Sequence, residues 1–174
     1  VMQELAHLDG ALAVTAGAHQ SIGYKALLLF GSDEQKKKWL PKLASGQLIA
    51  CYCLTEPGSG SDAASIKTRA TLSPDGKHFI LNGNKLWITN GGIATFMTIF
   101  AKTEVEEVNK KTGQKEMKDK VTAFFLELPT EGVTVGPAEH KLGIRASWTN
   151  AIHYENVKVP IENVCGQVGH GFKI

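Results

Sequence analysis

No stretch of about 18 apolar residues occurs in the 174-residue sequence, so no transmembrane helix is predicted. Charge of one sign is scarce as well. Nineteen Lys and Arg against 17 Asp and Glu leave +2, too small a surplus to argue for nucleic acid or a membrane surface as partner. The opening Val1-Met-Gln-Glu4 has neither a basic region nor an apolar signal core and reads as the middle of something longer. Cysteine is rare: Cys51, Cys53 and the distant Cys165. The first two would share one face of a strand, but C-x-C with no second pair and no nearby histidines is not a metal motif. The expectation is buried, reduced thiols in an intracellular protein and no metal. The six histidines are scattered without H-E-x-x-H or paired-ligand spacing, and His19 reads as a satisfied group on a helix. There is no G-x-S-x-G elbow, no G-x-G-x-x-G opening a helix, and no internal repeat.

What remains is an ordinary globular composition, long enough for one or two small domains with real cores. Residues 1–47 read as helical. Leu5, Leu8 and Leu12 recur at helical spacing, and Ala11, Ala13, Ala16 and Ala18 keep the helix slim for close packing. Tyr24 to Phe30 predicts a second helix stopped by Gly31, and Ser32 with Gln35 predicts a capping box on a third. That third helix carries Lys36, Lys37 and Lys38 on a solvated face, and Pro41 and Gly46 mark its exit.

From Leu48 onward the pattern changes to short strands punctuated by Gly, Pro and Asn, which predicts an all-β barrel or sandwich. Strands are expected over 48–55, 66–72, 78–81, 85–89, 96–102, 121–128, 133–135 and 151–157. Ser73-Pro-Asp-Gly76 is a turn, and Asn82-Gly83 reads as a hairpin between two of these strands. Glu104 to Lys120 reads as a long solvated loop. Gly166 to Gly171 reads as a hinge, with Phe172 to Ile174 opening a further helix.

Two segments carry chemistry. In Tyr52-Cys-Leu-Thr-Glu-Pro-Gly-Ser-Gly-Ser-Asp62 an apolar strand runs into a turn crowded with glycine and hydroxyls. Gly58 and Gly60 permit close approach of a ligand, successive N–H groups can form an anion nest, and Ser59 and Ser61 can donate to phosphate. In Leu86-Trp-Ile-Thr-Asn-Gly-Gly92, strand alternation would put Trp87 and Thr89 on one face: a flat apolar wall with a hydroxyl at its edge. Together these could hold a flavin nucleotide. Glu56 is expected to structure the turn and Asp62 to cap a short one. Trp39 and Trp148 read as packing residues. No catalytic base is expected in the chain.

These motifs, in this order, resemble the acyl-CoA dehydrogenases over nearly the whole sequence. Cys53-Leu-Thr-Glu-Pro-Gly-Ser-Gly-Ser-Asp62 is similar to that family's first flavin motif and Leu81-Asn-Gly-Asn-Lys-Leu-Trp-Ile-Thr-Asn-Gly91-Gly92 to its second. Phe30-Gly-Ser-Asp-Glu-Gln-Lys36 resembles the end of its N-terminal helical domain, and Lys141-Leu-Gly-Ile-Arg145 the end of its middle domain. Ser61 to Ile66, the charged loop and Phe100-Ala-Lys-Thr103 are most similar to the very-long-chain branch, which includes the family's ninth member. The resemblance implies an α+β chain in three parts. Residues 1–47 end the N-terminal helical domain, 48–165 form the middle antiparallel β-barrel domain, and 166–174 form a hinge into a C-terminal helical bundle that is missing.

It also implies FAD, with Tyr52, Cys53, Leu54, Thr55, Gly60, Ser61, Trp87, Ile88 and Thr89 as its binding residues. Ser61 also lies near the acyl-CoA, and Thr89 near flavin N5. The implied reaction is α,β-dehydrogenation of a long-chain acyl-CoA in mitochondrial fatty acid β-oxidation, with electrons leaving to electron-transferring flavoprotein. The implied assembly is a homodimer or homotetramer. The glutamate base belongs to the missing domain, so the 174 residues alone are expected to be inactive. Asn84 and Trp148 depart from residues common in relatives. Two rival readings share the fold: an acyl-CoA oxidase, and a non-catalytic assembly protein.

Overall fold

The computed structural model describes residues 1–109 and 113–174. Four helices come first: α1 (Met2–Leu8), α2 (Gly10–Ala18), α3 (Lys25–Phe30) and α4 (Asp33–Ala44), with a π-helical turn over His19–Gly23 between α2 and α3. Eight strands follow among the described residues: β1 (Ala50–Cys53), β2 (Arg69–Leu72), β3 (His78–Thr89), β4 (Phe96–Val108), β5 (Lys115–Glu127), β6 (Val133–Ala138), β7 (Thr149–Pro160) and β8 (Val164–Cys165). They form one sheet in the order β6-β7-β3-β2-β4-β5-β8, with β1 added to β4. Five of the seven pairings are antiparallel; β1 and β2 run parallel to β4.

The expected capping box on α4 is present. The Ser32 hydroxyl accepts from Gln35 N–H, and the Gln35 side chain accepts from Ser32 N–H. Spacing of four then puts Gln35, Trp39 and Leu43 on the buried face of the helix. The exposed face carries Lys37 and Lys38, the latter resting 4.5 Å over the Trp39 ring. Pro41 does not end this helix as expected; it sits inside it, and the helix runs on to Ala44. The N–H that proline lacks would have met the carbonyl of Lys37, which lies on the exposed face where water can satisfy it.

Two cores share the sheet. On the helical side, Trp39 makes edge contacts with Phe96 and Phe125 at 5.4 and 5.7 Å, joined by Leu27, Leu43, Phe100 and Ala123. On the other side, Met97, Ile99, Phe124 and Leu126 pack with Cys51, Cys53, Leu81, Ile88, Tyr154 and Val157. Residues Phe96 to Ala101 of β4 are therefore buried on both faces, which explains a run that is apolar except for Thr98, whose hydroxyl donates to the Gly23 carbonyl at 2.8 Å. Cys51 and Cys53 share a face as expected, with sulfurs 3.5 Å apart. All three cysteines are free and buried, and burial pushes the Cys165 thiol up to about 12.

Two expectations need correction. Asn82-Gly83 is not a hairpin turn: β3 continues through it to Thr89. Gly83 lies at φ +150°, at a register shift against β7, and a Cβ there would collide with Thr68, whose Cα lies 2.7 Å from its place. Glycine is needed for close approach and a bulge, not for a turn. The segment 104–120 is mostly not a loop. Its two sides continue the β4–β5 ladder out to Val108 opposite Lys115. Opposite charges lie across it, with Glu106 on Lys115 at 2.7 Å and Glu107 on Lys120 at 3.1 Å. Arg69 holds Asp119 at 2.6 Å and Glu104 at 3.3 Å. Charges that read as solvated tip chemistry are cross-strand pairs on a ribbon; the middle of that segment, 110–112, lies outside the described residues.

Phe125→Ala, which empties the centre of the helix-facing core, should cost about 3–5 kcal/mol on chemical denaturation. Ser32→Ala, which removes only the cap, should cost about 1 kcal/mol.

Candidate functional site

The site grows from an irregularity in the sheet. One edge of β4 is taken by β5 throughout, and the other is shared by two strands. Ala50 to Cys53 lie opposite Phe96 to Ile99, and Arg69 lies opposite Lys102. Between those contacts residues 54–68 must leave the sheet, and they carry the glycine- and hydroxyl-rich motif. Glu56 and Ser59 exchange main-chain hydrogen bonds of 2.9 and 3.1 Å around Pro57-Gly58. The Ser59 hydroxyl then donates to the Asp62 carbonyl, and the Ser65 hydroxyl to the Asp62 carboxylate, forming a single 3-10 turn over Ala63–Ser65. Asp62 thus orders the short turn it was expected to cap.

Glu56 does more than structure a turn. It is buried, and its carboxylate accepts from Lys67 N–H at 2.5 Å, Thr68 N–H at 3.0 Å and Lys85 Nζ at 2.9 Å. Lys85 is fully enclosed and also donates to the Leu54 carbonyl at 3.0 Å. One ion pair therefore ties the end of β1, the return toward β2 and the middle of β3. Burial pushes the Glu56 carboxyl up, but the hydrogen bonds from Lys85, Thr68 and Lys67 outweigh it and hold the group below its ordinary value of 4.5. Burial pulls the Lys85 ammonium down, against the opposing pull of Glu56. Lys85 was not among the residues singled out from sequence. The signal was there: Phe79 and Leu81 face inward, and the same alternation carries Lys85 inward.

Beyond Lys85 the alternation breaks. The pairing with β7 shifts between Lys85–Ile152 and Ile88–Asn150, and Trp87 takes the left-handed φ of +56°. Lys85 stays inside, Ile88 returns to the core, and the Trp87 indole is thrown outward, 63% exposed. Simple alternation would have put Trp87 on the inner face with Lys85. The shift leaves Trp87 exposed and Thr89 half-buried instead. The two motifs meet directly, since Leu86 N–H donates to the Thr55 carbonyl at 2.9 Å.

The sequence-predicted residues fall into three groups. Tyr52, Leu54 and Thr55 are half-buried along the β1 end, with the Tyr52 ring 4.8 Å from Phe100. Gly60, Ser61 and Trp87 are exposed, and Thr89 is half-buried beyond them. Cys53 and Ile88 are buried in the inner core, so only their main chain is left to meet a ligand. A Cβ at Gly58 or Gly60 would meet nothing within 4 Å, and neither residue has a positive φ. Among the described residues, the hydroxyls of Thr55, Ser61 and Thr89 and the N–H groups of Gly60 and Ser61 have no hydrogen-bond partner in the chain.

Asn90, also unanticipated, has φ +66° and reaches back to donate to the carbonyls of Thr15 and Ala50 at 3.0 and 3.3 Å. Trp148, expected to pack, is 48% exposed and lies against Gly92 in the turn after Thr89. No cluster of three or more metal-ligating side chains occurs among the described residues.

The acyl-CoA dehydrogenase middle-domain family model matches residues 51–157, and the N-terminal-domain model of the same family matches residues 1–47. The chain belongs to the acyl-CoA dehydrogenase family. It is 57% identical over 166 residues to a mitochondrial very long-chain specific acyl-CoA dehydrogenase of Macaca fascicularis, covering 95% of this chain and 25% of that protein. Among solved structures, butyryl-CoA dehydrogenase of Megasphaera elsdenii matches with TM-score 0.86 and 40% identity, covering 99% of this chain and 42% of that one. An acyl-CoA dehydrogenase of Bacillus anthracis, solved in complex with FAD, matches with TM-score 0.83 and 43% identity over 94% of this chain and 26% of its own. The chain thus spans about a quarter of the length of the very long-chain relatives it matches. Both site motifs lie within the middle-domain match.

The depressed Glu56 carboxyl sets a pH dependence. Its stabilising contribution is complete above the ordinary value of 4.5 and is lost as pH falls through the lower folded value. Denaturant unfolding from pH 6 to 3 should therefore show a steeper loss of stability in the wild-type chain than in Glu56→Gln.

Proposed function

We propose that this chain supplies the flavin-holding wall of an acyl-CoA dehydrogenase that introduces an α,β double bond into long-chain acyl-CoA thioesters. The observation that carries the reading is the Thr55–Leu86 main-chain bond. It joins a loop with open space, free N–H groups and free hydroxyls to a strand end presenting an exposed indole and a free hydroxyl. Those features fit FAD. Gly60 and Ser61 would meet the diphosphate with N–H and hydroxyl donors. Tyr52, Leu54 and Thr55 would border the isoalloxazine, Trp87 would give it an apolar wall that excludes water, and Thr89 would hydrogen-bond its edge near N5. When bound, FAD supplies the acceptor for the hydride that leaves the substrate β-carbon.

The chain's own carboxylates are poorly suited to removing the α-proton. Glu56 is committed to Lys85, Thr68 and Lys67, and Glu104 to Arg69. The base belongs on the C-terminal helical domain of the whole protein. Residues 1–47, 48–165 and 166–174 are then the end of the N-terminal domain, the middle domain and the hinge. Ser61, beside the open face, would also contact the acyl-CoA. The high identity to the macaque very long-chain specific, mitochondrial protein supports long-chain substrates and mitochondrial residence. The family resemblance extends the reading to electron-transferring flavoprotein as acceptor and to a homodimer or homotetramer of the whole protein.

The test uses the full-length protein with FAD. Reduction of electron-transferring flavoprotein on addition of a long-chain acyl-CoA is expected; peroxide as the sole reduced product would instead mark an oxidase. Thr89→Ala should weaken FAD binding about fivefold through loss of one hydrogen bond of about 1 kcal/mol, and Trp87→Phe should change the flavin absorption spectrum. Unchanged spectra and reductive rates in both would remove these side chains from the site. Gly60→Ala separates fold from ligand: apo stability should hold within about 0.5 kcal/mol, while FAD affinity falls.

A further inference from the structure

We infer that the enclosed Glu56–Lys85 pair is the positioning element of the flavin cradle, a role that rests on the FAD reading above. Neither side chain can touch a ligand, since the Lys85 side chain is 0% and the Glu56 side chain 6% exposed. They act through what they hold. On one side, Lys85 takes the carbonyl of Leu54 at 3.0 Å and so fixes the last residues of β1, Tyr52 to Thr55. On the other, Glu56 takes the N–H groups of Lys67 and Thr68, which pins the far end of the Gly/Ser loop where it rejoins the sheet. The pair thus clamps both ends of the loop and leaves Gly58, Gly60 and Ser61 of its middle exposed, with open space at both glycines.

The clamp also sets the indole. Continued alternation from Phe79 and Leu81 would put Lys85 and Trp87 on the same inner face. Holding the ammonium inside against Glu56 while Ile88 re-enters the core requires an extra residue between them. That extra residue is the bulge at Leu86–Trp87, with Trp87 at φ +56° and its ring turned out. A methionine or leucine at 85 could be buried without meeting Leu54, Glu56 and the loop end. The charge pair therefore specifies geometry, consistent with the general finding that buried ion pairs add little stability over an apolar replacement. Thr68 closes the arrangement: its N–H goes to Glu56, and Gly83 of β3 packs against its Cα.

The experiment uses full-length holoenzyme bearing Lys85→Met, Glu56→Gln, or both. Each is read by thermal midpoint, FAD dissociation constant, visible flavin absorption and quenching of tryptophan fluorescence by flavin. The single variants bury an unpaired group and should lose thermal stability. The double variant should recover most of that stability yet bind FAD at least tenfold more weakly, with an absorption spectrum shifted toward free flavin and reduced quenching. A double variant that binds FAD with wild-type affinity and spectrum overturns the inference. Should the double variant not fold, Lys85→Arg and Glu56→Asp keep both charges and take its place. Several-fold weaker FAD with an altered spectrum supports the clamp, and unchanged binding overturns it. Failure of the wild-type holoenzyme to take up FAD would count against the FAD reading itself, whereas wild-type uptake with indifferent variants would count against the clamp alone.

Discussion

The arrangement depends on one constraint, the sharing of a single edge of β4 by two strands. Phe96 to Ile99 accept β1, and three residues later Lys102 meets β2. Residues 54–68 are far too many to run from the first contact to the second along so short a length of edge. The chain between them is pushed out of the plane, where its main-chain groups lose the ladder that would have satisfied them. Some find partners inside the loop, in the Glu56–Ser59 bridge and the Asp62 turn. Others, at Gly60 and Ser61, find none among the described residues. A loop so placed is held rigidly at both ends and keeps donors available in its middle, and that combination suits an anionic ligand.

A gap in a sheet would ordinarily expose core, and the sequence fills it with an unusual choice, a lysine aimed inward from β3. Its cost is limited because Glu56 and the Leu54 carbonyl satisfy it at hydrogen-bond distance. Both side chains are enclosed, so the pair is confined to one geometry. The same strand then needs a bulge to restore its apolar phase at Ile88, and the bulge ejects Trp87. The exposed indole is thus the consequence of a buried charge two residues earlier. Without the bulge, Trp87 would be a core residue, and no exposed indole would be available to the proposed flavin.

These relations explain what could be read from the residues and what could not. The α4 cap and the Tyr24–Phe30 helix were legible because each is decided by neighbours within four residues. The two candidate site segments could be singled out because their residue types are unusual for plain structure, and both fall within the middle-domain match. Asn82-Gly83 misled because its glycine serves a contact with Thr68, a residue 15 positions away. The charged ribbon beyond Thr103 misled because composition suggests solvation, whereas pairing depends on the partner strand: Glu106 and Lys115 look alike in a loop and in a ladder. Lys85 was readable from the phase of β3, but its partner Glu56, 29 positions earlier, was not. The same limit applies to Asn90, whose partners Thr15 and Ala50 lie in other elements.

Those last contacts bear on how the helical and β segments work together. His19 accepts from Ala50 N–H at 2.9 Å through Nδ1 and so carries its proton on Nε2, which meets the Leu43 carbonyl at 3.0 Å. Asn90, the residue after Thr89, donates to the Ala50 and Thr15 carbonyls. Ala50 is therefore held on one side by the π-helical turn and on the other by the residue that ends the Trp87–Thr89 wall. Its Cβ also lies where a side chain on Gly23 would come within 2.7 Å, so the helical layer approaches β1 as closely as glycine allows. The passage from helix to strand near residue 47 is thus a change of secondary structure without a mechanical break. A displacement of α2 or of the π-helical turn would move the start of β1 and the end of β3 together, and the spacing between the two walls would be preserved. The helices hold the two segments from behind, the Glu56–Lys85 pair holds them from within, and the side proposed to face the flavin is left free of both.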